Sequence, residues 1–124
     1  MGLDLEASDG FPIFSGGYNA FFRFRQLVER DMESVKLQDD EPGISHFFEH
    51  SDCDGSWSAR ACRHIADFFR KVYADIEPMK DDEYPDMKII ASDPTSQEAH
   101  IIRVRMFLRG IFYCETHKRS ARFR

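Results

Sequence analysis

From Ser58 to Ile76 the chain repeats apolar residues at helical spacing. Ala59, Cys62, Ile65, Ala66, Phe69, Val72, Tyr73 and Ile76 share one narrow arc, and Arg60, Arg63, Asp67, Arg70 and Lys71 lie away from it. At about 100° per residue this is the pattern of an amphipathic helix. Such a stripe is stable only when a second layer covers it, so the rest of the chain must supply that cover. Ser58 is the natural N-cap, and Glu77-Pro78 stops the helix, because the residue before a proline is pushed out of helical backbone.

Two more segments carry the same period. Tyr18 to about Val35 puts Tyr18, Phe21, Phe22, Val28 and Met32 on one side, with Phe24 at its margin. Arg25 and Glu29 fall inside that arc, an i, i+4 pair where charge is unexpected. A last helix starts at Asp93-Pro94-Thr95, with an Asp cap and a proline in the first turn. It buries Ile101, Val104, Phe107, Leu108, Ile111 and Phe112; Gly110 weakens its end, and Phe112–Glu115 leaves it as a strand-like tail. Ile44–His50 fits one or two turns, and Ser51–Trp57 reads as a loop.

The expected fold is therefore mainly α. It is a single compact domain over residues 1–124 with three long helices, one short helix and short extended segments at the termini. Residues 1–16 and 115–124 are expected to be irregular, and 77–92 an acidic loop with Met87–Ala91 briefly extended. Twelve phenylalanines and 42% hydrophobic residues are enough for a packed core at this length.

A formal charge of −5 argues against general nucleic-acid binding, since a phosphate backbone wants a basic face. The basic end, Lys118 to Arg124, reads as a solvated tail. No apolar run approaches the roughly 18 residues of a membrane span, and the start has no signal-peptide pattern. Three cysteines cannot all pair, so a cytoplasmic protein with reduced thiols is expected.

The densest chemistry lies in Ile44–His64, ISHFFEHSDCDGSWSARACRH, which holds three of the five histidines and two of the three cysteines. Zinc could use His46, His50, Cys53 and Cys62, although the spacing fits no standard module and Cys62 belongs to the core stripe. Calcium would place Asp52 and Asp54 at EF-hand-like positions around Gly55, but His50 and Ala61 stand where end carboxylates are needed. His50 with Cys53 could form a thiolate–imidazole pair, with no oxyanion or phosphate loop to complete an enzyme. The plain alternative is a tight Asp-Gly turn that feeds the Ser58 helix.

GYNAFFRFR, then HFFEHSDCDG, then a cysteine beyond Cys53 resembles a family of small bacterial and phage proteins with a GYxxFxxFR-like first helix and an HSDCDG motif. The resemblance covers roughly residues 1–70; Ala59-Arg60-Ala61 departs from the Pro-Glu-Glu common in that family. It implies no particular activity, only the habit of such small acidic proteins to act as stoichiometric binders. The expected function is accordingly non-enzymatic: to sequester a small anionic or nucleotide-like ligand, or to inhibit a partner protein with the acidic loops as a decoy for basic surfaces. A ligand pocket beside the HSDCDG turn would use Arg25, Arg105 and Arg109 for phosphate and Tyr18, Phe22, Trp57 and Tyr113 for stacking, with His50, Asp52 and Asp54 on its rim. No cofactor is expected, with zinc as the alternative, and homo-oligomerisation stays open.

Overall fold

The structure is a computed structural model that describes residues 2–37, 41–49 and 55–123. Its elements run β1 (Gly2–Ala7), β2 (Pro12–Gly17), α1 (Tyr18–Ser34), α2 (Pro42–Glu49), β3 (Ser56–Trp57), α3 (Ala59–Val72), α4 (Met87–Ser92), α5 (Gln97–His117) and β4 (Ala121–Phe123). The four strands form one antiparallel sheet in the order β2-β1-β4-β3. This corrects the mainly-α expectation: the fold is mixed, and both ends of the chain build the sheet.

Alternation explains why these short pieces pair. In β1, Leu5 and Ala7 are buried while Asp4 and Glu6 face outward; in β4, Ala121 and Phe123 are buried and Arg122 is exposed. Leu5 sits opposite both Phe14 and Phe123, so one strand face is committed to the core from both sides. Arg122 and Glu6, a registered pair on the outer face, form a salt bridge at 3.2 Å. Gly10, at φ +95°, makes the turn that returns β1 into β2.

The helices cover the inner face. Ser58 caps α3 by accepting the Ala61 amide at 3.1 Å, as its position implies. The α3 stripe is buried at Cys62, Ile65, Ala66, Phe69 and Val72, although the helix ends at Val72 and passes through a turn before Pro78. On α1 the buried face is Phe21, Phe24 and Val28; Phe24 lies at its centre and Phe22 points outward at 59% exposure. Phe47 of α2 is the hub of the aromatic core, 5.1 Å from Phe69 and 5.6 Å from Phe107 between ring centres.

Four local expectations are corrected. Met87–Ser92 is helical, capped by the Asp86 carboxylate, which accepts the Lys88 and Ile89 amides. The α5 cap is Ser96, which accepts the Ala99 amide at 3.0 Å, while Asp93-Pro94-Thr95 forms the turn before it. Gly110 does not end α5, which runs through Phe112–Glu115 to His117 and stops at Lys118 in left-handed backbone. The expected irregular ends at 1–16 and 115–124 contain β1, β2, the last turn of α5 and β4. Among the described residues no helix is long and apolar enough to cross a membrane.

Candidate functional site

The segment between α3 and α4 has little core of its own, yet it is tied down at every turn. Between Glu77 and Asp86 the one buried side chain is Met79, whose amide donates to the Arg105 carbonyl at 3.1 Å. Arg105, on α5, clamps the Glu83 carboxylate with both terminal nitrogens, at 3.0 and 3.1 Å, and donates through Nε to the Glu77 carbonyl at 3.2 Å. One turn on, the buried Arg109 donates to the carbonyls of Lys80 and Glu83 at 2.9 and 2.7 Å. The Arg105 fork, followed by the Lys80 amide, holds the Glu83 carboxyl below the usual carboxylate range, so it is ionised at neutral pH.

This bracing displays what the segment carries. Tyr84 is 90% exposed and Met87 is 56% exposed, beside the exposed Asp81, Asp82 and Asp86. Between Glu77 and Lys88 five acidic residues stand against two lysines, so the displayed surface is acidic. A recess of about 210 Å³ separates the segment from α5, lined by Met79, Asp81, Arg109, Phe112, Tyr113 and His117. Its far side is fixed by Phe11, whose ring stacks on Tyr113 at 4.1 Å.

The residues expected to form one anion pocket are dispersed. Arg105 and Arg109 belong to the braced segment. Arg25 lies over the rings of Phe21 and Phe47, at 4.7 and 5.9 Å. Trp57, expected to stack on a ligand, is 2% exposed and packs edge-on against Phe123 and Phe107. Tyr18 is half-buried against the core, and Phe22 is exposed on α1. The structure thus brings Arg25 and Trp57 to the same ring, Phe47, and takes Arg105 and Arg109 elsewhere.

His50, Asp52, Cys53 and Asp54 lie outside the described residues. The described residues on either side border a depression of about 400 Å³ lined by His46, Glu49, Ser56, Trp57 and Ser58. Cys62 is buried in the α3–α5 core beside Cys114 and donates weakly to the Trp57 carbonyl at 3.9 Å. Cys62 is fully buried, whereas His46 is exposed. The Cys114 thiol and burial push the Cys62 thiol far up, so it stays protonated.

A buried polar network escaped the sequence reading. Asp31 Oδ2 accepts the Tyr73 hydroxyl at 2.7 Å and lies 2.9 Å from His100 Nε2, while Arg30 holds Oδ1 at 2.8 and 3.0 Å. Burial raises the Asp31 carboxyl, but the Tyr73, His100 and Arg30 bonds together outweigh it and leave the group below its usual range. Burial pushes His100 down against the pull of Asp31, so a neutral ring that donates from Nε2 fits the acceptor-only carboxylate. Burial, then Asp31, drives the Tyr73 hydroxyl far up. The signal was present: Asp31 is seven residues past Phe24, and His100 seven before Phe107, each a polar residue in a core register. With all four acceptor positions of Asp31 filled, the network ties α1 and α5 to the C-cap of α3.

No protein-family model, no curated protein and no solved structure matches the chain.

Proposed function

We propose that the chain is a binding protein that engages a basic surface of a partner protein through the braced segment Glu77–Lys88. The observation that carries this reading is the exposure of Tyr84 and Met87 on and just after a loop held by five guanidinium hydrogen bonds. A loop with one buried side chain would otherwise lose its ordering entropy only on binding; fixing it beforehand lowers that cost. Tyrosine and methionine are enriched at interface centres, and the surrounding carboxylates favour a cationic partner and repel acidic ones. Sequestration of a small anion is the weaker reading, because Arg105 and Arg109 are engaged inside the fold and face Glu83 and backbone carbonyls.

Amide chemical shifts test this with two synthetic helical peptides, one lysine- and leucine-rich and one with glutamate in place of lysine. The basic peptide should shift residues 77–88 and the α5 residues lining the recess, saturably, with weaker binding at higher salt. Tyr84→Ala should weaken it by about tenfold, the scale of a central aromatic anchor. Equal responses to the two peptides, or shifts confined to another face, would overturn the proposal.

A further inference from the structure

The exposed His46 of α2 and the half-buried His64 of α3 face one another with ring centres 5.4 Å apart and planes inclined at 38°. The separation is set by backbone, not by side-chain drift. Gly43, three residues before His46, lies so close to α3 that a Cβ there would come within 2.5 Å of the Phe68 Cβ and nearer still to the His64 carbonyl oxygen. The two helices therefore come into close backbone contact at Gly43 and His64, with His46 about one turn further along α2.

Two imidazoles bound at about 2.0–2.1 Å to one tetrahedral ion have ring centres on the order of 5 Å apart. The observed spacing is close to that value. His64 Nδ1 is buried and has no hydrogen-bond partner among the described residues, a vacancy that ordinarily carries a cost. Burial, then His64 and Arg60, lower the proton affinity of His46, which favours the neutral form that metals need. Arg60 opposes a cation at this place; Glu49, one turn beyond His46 and held by the Ser45 hydroxyl at 2.7 Å, offsets it from the same depression. Among the described residues no group of three or more histidine, cysteine or carboxylate ligands is gathered, so the pair would supply two positions and leave the others to water or further donors.

We propose that His46 and His64 form a bis-imidazole site for a late divalent transition ion of the zinc class, seated between α2 and α3. Imidazole suits zinc, copper and nickel better than magnesium or calcium. The ligand pair differs from the cysteine-containing set suggested by the sequence, because Cys62 is two residues from His64 and so faces the opposite side of α3.

The test uses the full chain, stripped with a chelator and titrated with zinc ion alone at pH 7.5. Calorimetry should find one equivalent bound, and the imidazole resonances of both His46 and His64 should move with it. His46→Ala and His64→Ala should each weaken binding at least tenfold, the lower end of what losing even an outer-shell partner costs; Cys62→Ala should leave it unchanged. His64→Gln replaces His64→Ala if the latter fails to fold. Zinc affinity that survives loss of His64, or the absence of binding at 100 times a micromolar zinc concentration, would overturn the site.

Discussion

Gly110 of α5 rests against Ile13 of β2 so closely that a Cβ at 110 would lie 2.6 Å from Ile13 Cγ1 and 2.7 Å from its Cα. The missing side chain is what lets the longest helix sit on the sheet. Gly110→Ala should therefore destabilise the protein even though alanine is the better helix former. Helix propensity favours alanine by about 1 kcal/mol, whereas overpacking a filled core costs about 1–3 kcal/mol. We expect a net loss, read as a lower urea midpoint with unchanged slope. Ile13→Val in the same chain should not recover it, because valine keeps Cγ1, Cα and Cβ, the atoms that a Cβ at 110 would meet.

Trp57 is the single tryptophan and is nearly closed off, with Phe123 5.0 Å and Phe47 6.1 Å from its ring centre. Its emission should be blue-shifted in the native state and move to the red in one cooperative step on unfolding. Acrylamide should quench it slowly, and added nucleotides should not quench it by stacking. Rapid acrylamide quenching of the folded protein would contradict the packing described here.

Long periodic helices were legible, while pairing was not. The stripe from Ala59 to Val72 and its Ser58 cap could be read because fourteen residues repeat one period. β4 is three residues with an arginine at its centre, and pairing with β1, more than a hundred residues earlier, and with β3 makes it a strand. The α5 start was misplaced because Asp93 and Ser96 are both good caps, and the Asp93-Pro94-Thr95 turn decides between them. Of the candidate site residues, Trp57 was taken for a ligand contact because an aromatic beside a polar turn has the same composition whether it faces in or out. Arg105 and Arg109 were read as phosphate ligands because their partners, Glu83 and the Lys80 carbonyl, sit in a segment that carries no periodicity.

The Asp31–Tyr73–His100 network makes stability depend on pH in two windows. His100 has a lowered proton affinity in the folded state, so the unfolded chain binds the proton first. Its contribution is complete above the ordinary histidine range near pH 6.5 and declines as pH falls from there towards the lower folded value. Asp31 is also lowered, so its contribution is complete above the ordinary carboxylate range and is lost on further acidification. Urea titrations should show stability falling from pH 7 to pH 5, and His100→Gln, which can still donate to Asp31, should flatten that portion. Tyr73→Phe should lower stability by about 1.5–3 kcal/mol at pH 7, the scale of a hydrogen bond to a charged group. An unchanged slope in His100→Gln would assign the dependence to other groups.

Arg109 separates bracing from simple charge. It is 7% exposed, its guanidinium satisfies the carbonyls of Lys80 and Glu83, and it sits 5.6 Å from the Phe11 ring centre. Both bonds come from Nη1, and lysine keeps the charge but is one bond shorter, so its ammonium stops short of the place where Nη1 meets the two carbonyls. Arg109→Lys should thus behave more like Arg109→Met than like wild type, each losing about 1–3 kcal/mol as buried acceptors go unsatisfied. The loss should be local before it is global. Amide exchange should accelerate at Met79 and Glu83, whose own hydrogen bonds depend on the segment staying closed, while α3 keeps its protection. Arg105→Ala should open the same residues with a smaller loss of global stability, since the Arg105–Glu83 pair is one-third exposed and partly screened. Equal exchange at residues 79–83 in wild type and all three variants would show that the two arginines do not hold the loop.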